Sequence, residues 1–190
     1  MPIFFDDVDK ISFLKMLRFE TLEMNIRVFA YCLMPNHYHL FVQTEGANLD
    51  KFMQKFISRY VQLINIRHNR VGSLFQGRYQ DRLVDVDSYA LKLTQYIHLN
   101  PVIAGYVEKP QDYPWSSYAN YRDNQASWIE TNLVLEILGG ADKASFKQFE
   151  KFHQAVPEGS DPYRSQRIYL KLKEIQHNSA KKNGLGARGV

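Results

Sequence analysis

From Val8 to Met24 apolar residues recur at near-helical spacing, with Ile11, Leu14, Leu17 and Leu22 separated by charges. That period predicts an amphipathic helix. Ile26 to Leu33 is instead a dense run of β-branched and aromatic residues, as in a buried strand. Met34-Pro35-Asn36 supplies turn formers, and His37 to Thr44 reads as the returning strand of a hairpin. After a break at Glu45-Gly46-Ala47, Asn48 is placed to cap a second helix reaching about Arg70. Leu49, Phe52, Phe56, Tyr60, Leu63 and Ile64 form its apolar face. Arg78 to Val86 reads as a polar strand. Asp87 opens a third helix over Ser88 to Leu99, which Pro101 is expected to end through its restraint on Asn100. The order helix, strand, strand, helix, strand, helix predicts an α+β layer with helices on one face of an antiparallel sheet and the other face left for chemistry.

Beyond Pro110 the pattern changes. Tyr113-Pro114-Trp115-Ser116-Ser117-Tyr118 reads as a loop leading into a short helix, and Asn132 to Leu138 and Ser145 to His153 as further helices. Pro157 to Pro162 reads as a linker. Arg164, Arg167, Lys171, Lys173, Lys181, Lys182 and Arg188 then make a basic tail opposed only by Glu174, and its last residues are not expected to fold alone. The chain of 190 residues, with 45% hydrophobic and 23% charged residues, fits a globular domain with an appendage. No apolar stretch is long enough to span a bilayer, and the N-terminus lacks the pattern of a secretory signal. The single Cys32 sits in an apolar run and reads as a buried thiol, so a cytoplasmic protein is expected. A net charge of +4 and a pI of about 9.0 agree with a polyanionic partner without demanding one.

The candidate chemistry lies in two segments. In a strand alternate side chains share a face, so His37 and His39 point together while Tyr38, Leu40 and Val42 point into the core. Two imidazoles converging from a rigid strand make half of a divalent-metal site, although histidines in strands more often fill space or hydrogen-bond. On the third helix Tyr96 and Asn100 are four apart and share a face. Asn100 offers a neutral oxygen to a metal and Tyr96 a phenol one turn away, where a nucleophile could stand. Taken singly, packing for Tyr96 and capping for Asn100 are the simpler readings. His98, two residues from Tyr96, faces elsewhere and reads as a packing or surface residue.

Together these segments resemble a family. His37-Tyr38-His39 resembles the HUH motif, and Tyr96 to Gly105 resembles the nucleophile helix of the single-tyrosine HUH transposases, most closely the REP-associated tyrosine transposases. Leu74-Phe75-Gln76-Gly77-Arg78-Tyr79 and Tyr113 to Tyr118 match the same branch in order. The resemblance runs from about Pro2 to Tyr121. It implies a ferredoxin-like sheet and a division into a catalytic domain over 1–110, a helical extension over 111–162 and a basic tail over 163–190. It further implies metal-dependent cleavage and transfer of single-stranded DNA at hairpins of repetitive palindromic elements through a 5′-phosphotyrosine. Tyr96 would be the nucleophile, and His37, His39 and Asn100 would hold Mg²⁺ or Mn²⁺. Read from the residues themselves, Lys51, Lys55, Arg59, Arg67 and Arg70 on the second helix do not all share one face; Arg59, Arg67 and Arg70 are candidate DNA contacts against a merely solvated surface, and Arg78 after Gln76-Gly77 is the better-placed one, with Gln76 beside it. Tyr113, Trp115, Tyr118 and Tyr121 are read mainly as core, with base stacking open to some of them. Monomer and homodimer are both compatible.

One departure matters. Members of this branch carry a further strand ahead of the first helix, ending in an Arg-Gly-Asn-type turn, and Met1 stands just after that point. The absent strand would lie beside the one holding His37 and His39, leaving an open edge there unless something else fills the gap. A DNA-hairpin-binding protein with impaired catalysis is therefore the alternative. A hydrolase of the His-x-His-x-His kind is disfavoured, because Phe41 takes the third alternate position.

Overall fold

The computed structural model describes residues 1–46, 48–84, 87–123, 127–140, 143–154 and 168–172. The chain opens with helix α1 (Asp7–Glu23), whose N-cap Asp6 accepts from the Asp9 amide at 3.0 Å. Strands β1 (Ile26–Met34) and β2 (His37–Thr44) form the expected hairpin. They pair antiparallel, with Cys32 opposite His39 and Met34 opposite His37, and the register shifts between Val28 and Ala30. Helix α2 (Leu49–Arg67) returns across the sheet to strand β3 (Gln80–Val84), and helix α3 (Asp87–Ile103) follows.

Three local expectations change. Asn48 precedes α2 but does not cap it, because its amide is drawn away to the carbonyl of Met24 at 3.1 Å. The polar strand begins at Gln80, two residues after Arg78, and its expected end at Val86 lies outside the described residues. Pro101 does not stop α3: the helix runs to Ile103 and ends at Gly105, whose φ of 72° is one that a side chain resists. There the Tyr106 amide donates to the Pro101 carbonyl at 2.8 Å and the Gly105 amide to that of Val102 at 3.0 Å. This paired C-terminal closure satisfies carbonyls at the helix end, so the signal that stops the helix is the glycine.

α1 and α2 cover one face of the hairpin. Phe13, Phe52, Phe56 and Tyr60 meet Tyr38, Leu40, Val42 and Leu33 in a core of fully or almost fully buried side chains. Each such residue contributes roughly 1.5–3 kcal/mol by leaving water. The other face carries Ala30, Cys32, Met34 and Phe41, and α3 packs there through Ala90, Leu93 and Ile97. The histidine face, expected to be left for chemistry, is thus the face to which α3 is delivered.

A 3-10 turn (Pro110–Asp112) and helices α4 (Tyr118–Asp123), α5 (Asn132–Ile137) and α6 (Lys143–Gln154) complete the helical part. The expected boundary at residue 110 is not a break in packing: Tyr118, Tyr121, Val134, Leu135 and Phe149 belong to the same core cluster as α1 and α2. Tyr121 donates to the Phe29 carbonyl at 2.8 Å and Tyr113 to that of Leu33 at 2.7 Å. Core packing is therefore the role of Tyr118 and Tyr121, while Trp115 is half-buried under the Lys10 ammonium, 4.6 Å from its ring centre.

Within the basic tail, Ile168–Leu172 forms strand β4. It lies between β2 and β3 and parallel to both, giving a sheet of order β1-β2-β4-β3. The position beside β2 is thus filled by a strand from the other end of the chain. Counting charges concealed it: Ile-Tyr-Leu-Lys-Leu is rich in strand formers despite its lysine. The linker over Pro157–Pro162 and the other tail residues lie outside the described part.

Candidate active site

The site is built from the β1–β2 hairpin and from α3. Because Cys32 and Met34 face α3, their register partners His39 and His37 do so too. Their rings lie 4.9 Å apart between centroids and nearly perpendicular. His37 is half-buried, and its Nδ1 lies 2.7 Å from the Asn36 side-chain oxygen. That oxygen can only accept, so the ring proton is held on Nδ1 and Nε2 carries the lone pair.

His39 is buried, at 1% exposure, and neither of its ring nitrogens has a hydrogen-bond partner. Burial and the neighbouring His37 push its pKa down to about 3, against an opposing pull from the Asn100 side chain. Asn100 thus lies near enough to His39 to act on the ring, without the geometry of a formed hydrogen bond. A buried polar group left unmatched costs about 1–3 kcal/mol. An imidazole in that state is a neutral, lone-pair-bearing ligand in want of a partner, which fits a divalent ion.

α3 brings Tyr96 to the same place. Its half-buried ring meets His39 edge-on at 5.6 Å between centroids. Asn100, one turn on, is also half-buried, and its amide lies 3.5 Å from the Tyr96 carbonyl. The four residues singled out on two distant segments therefore converge on one patch.

The expected DNA contacts divide. Arg59 pairs with Glu20, a buried carboxylate that Lys55 also meets at 2.9 Å. Arg67 grips Asp6 at 2.6 Å together with the buried Asp9, and its guanidinium holds the Asp6 pKa down to about 2. Arg59 and Arg67 thus tie α2 to α1 and its N-cap through ion pairs. Arg70 lies over the Phe5 ring at 5.2 Å from its centre. Gln76 and Arg78 are exposed. Asp6, Asp9 and His68 place ligand atoms within 4.8 Å of one another, but Arg67 already balances this cluster. Among the described residues no helix is long and apolar enough to cross a membrane.

The patch is thus a strand histidine pair facing a helix tyrosine on an α+β scaffold. Residues 2–100 match the family model described as "Transposase IS200 like", and the chain belongs to that family. It is 29% identical over 109 residues to a Haemophilus influenzae protein described as a candidate REP-associated tyrosine transposase. The match covers 51% of this chain and 60% of that one, so the chain spans less than two thirds of its relative. No solved structure matches it significantly.

Proposed function

We propose that the protein cleaves and rejoins single-stranded DNA at hairpin elements, as a metal-dependent single-tyrosine transposase of the REP-associated kind. The observation that carries this reading is the orphaned, buried imidazole of His39 set between His37, Asn100 and the Tyr96 ring. A Mg²⁺ or Mn²⁺ ion held by His37, His39 and Asn100 would supply positive charge to offset the anionic phosphodiester. The neutral state of His39 leaves its lone pair available at pH 7.

Tyr96 acts as nucleophile. Its phenolic oxygen forms the bond to phosphorus, the P–O3′ bond breaks, and the 3′ oxygen takes up a proton. The product is a 5′-phosphotyrosine and a free 3′-hydroxyl. One phosphoester replaces another, so a second 3′-hydroxyl can reverse the step and join a new strand. A phenol, with a pKa near 10, leaves more readily than an alkyl alcohol. Arg78 and Gln76 stand in the open as candidate DNA contacts, and the reading places the protein in the cytoplasm as monomer or homodimer.

The test uses a labelled single strand carrying a hairpin, with Mn²⁺ or Mg²⁺, resolved under denaturing conditions. The expected result is a covalent adduct that disappears in Tyr96→Phe and in His37→Ala. Binding with no adduct in the unsubstituted protein would support the impaired DNA-hairpin-binding reading. Cleavage that survives Tyr96→Phe would make the protein a hydrolase.

A further inference from the structure

The side of α3 opposite Tyr96 carries polar groups that this chemistry does not use. His98 is completely buried, enclosed by the rings of Tyr118, Tyr121 and Phe149 at centroid distances of 5.6, 5.4 and 5.9 Å. Its Nδ1 lies 3.2 Å from His153 Nε2 on α6, and its Nε2 lies 2.8 Å from the Ser117 hydroxyl. His153 Nδ1 in turn lies 2.8 Å from the Phe149 carbonyl, and the Tyr31 amide on β1 donates to Ser117 Oγ at 2.9 Å. Beside them the Gln95 amide donates to the Phe152 carbonyl on α6.

Only one direction of protons satisfies every member. The Phe149 carbonyl can only accept, so His153 is protonated on Nδ1 and its Nε2 accepts. His98 must then donate from Nδ1 and accept at Nε2, and Ser117 must donate to it while accepting from Tyr31. The relay crosses three elements, α6, α3 and β1, through the loop before α4. It ends at Tyr31, adjacent to Cys32, which is the register partner of His39. The back of the tyrosine helix is thereby tied to the strand paired with the histidine strand. Positions 96 and 98 lie roughly 200° apart around a helix of about 100° per residue, so holding one sets the direction of the other.

We propose that the Tyr31–Ser117–His98–His153 relay, with Gln95, is the positioning unit of the nucleophile: it sets the rotation of α3 against β2 so that Tyr96 and Asn100 face His37 and His39. Ser117, His98 and His153 are positioning residues on this view. The proposal rests on the reading of Tyr96 as nucleophile.

Three measurements on the full chain test it. Nitrogen-15 spectra of the unsubstituted protein should show the proton of His98 on Nδ1 and that of His153 on Nδ1; the opposite tautomer of His98 overturns the relay. Ser117→Ala removes the hydroxyl without adding volume. It should slow single-turnover adduct formation by about tenfold to a hundredfold, the scale set by small misplacements, while hairpin affinity stays within about threefold. An unchanged rate overturns the proposal. Fluorotyrosine at position 96 provides a readout apart from activity: its fluorine signal should shift and broaden in Ser117→Ala, and in His153→Leu should Ser117→Ala not fold, and an unmoved signal overturns the proposal. If the adduct persists in Tyr96→Phe, the nucleophile reading fails, whereas the fluorine and nitrogen spectra still report on the relay.

Discussion

The protein holds two histidine pairs of opposite character. His98 and His153 lie in the interior with each ring nitrogen matched, by each other, by Ser117 and by the Phe149 carbonyl. His37 and His39 lie at the surface of contact between β2 and α3, and the buried member of the pair has both nitrogens unmatched. Burial lowers the pKa of His39, His98 and His153 alike, so burial does not separate architecture from chemistry. The difference is satisfaction. A matched buried polar group adds specificity to the fold, whereas an unmatched one is retained at a cost and calls for a reason, which for His39 the proposed ion would supply.

The sharpest way to break the comparison is to remove each kind of group and read activity and stability separately. Tyr96→Phe should abolish the covalent adduct, a loss of at least about 10⁴-fold, the scale seen when a nucleophile is removed. His37→Ala should also lose the adduct while unfolding within about 1 kcal/mol of the parent, since its half-exposed ring holds up little of the fold. His98→Ala should instead cost the fold far more than His37→Ala does. It leaves His153 Nε2 without its partner, takes from Ser117 its imidazole acceptor and opens a void, and urea titration should show a loss of about 3 kcal/mol. Equal stability losses in the two variants would erase the distinction.

Acid sharpens it further. His153 is held down to about 4 by burial, against a free value of 6.5, and His98 is displaced in the same direction. The folded state therefore binds fewer protons than the unfolded state between these limits. Stability is complete above about pH 6.5 and drains as pH falls toward 4, by up to about 3 kcal/mol. Urea midpoints of metal-free protein from pH 7.5 to 4.5 should fall accordingly, and His153→Leu should flatten the profile below its own lower baseline.

The smallest effects concern the arginines. Arg78→Met should weaken hairpin binding by about threefold to tenfold and lower the salt slope by about 1, with no change in unfolding. Arg67→Met should instead leave the buried Asp9 carboxylate short of its cation and appear in the unfolding midpoint. A large affinity loss in Arg67→Met without destabilisation would make DNA contact its main role.

Much of this was legible from spacing. The hairpin over residues 26–44 follows from β-branched and aromatic runs flanking Pro35-Asn36, and the shared faces of His37 with His39 and of Tyr96 with Asn100 follow from the two helical and strand periods. Pro101 misled because its restraint acts on one local bond, while the paired closure at Gly105 and the packing of α3 on the sheet carry the helix past it. The ion pairs of Arg59 and Arg67 were not legible, because a sequence shows a charge but not the buried carboxylate across the helix pair. His153 gave no signal, and Ser117 only as a member of the Tyr113 to Tyr118 motif: they stand 55 and 19 residues from His98, and nothing local links them to it.

By itself the sequence determined the order of elements, their periodic faces and the residue types able to do chemistry, because those depend on backbone geometry repeated over a few residues. Tertiary structure alone decided that α3 lies on the histidine face, that its tyrosine points toward the strand, and that β4 takes the place beside β2. Those outcomes depend on which distant surfaces match in shape and hydrogen bonding, a property that no single segment carries.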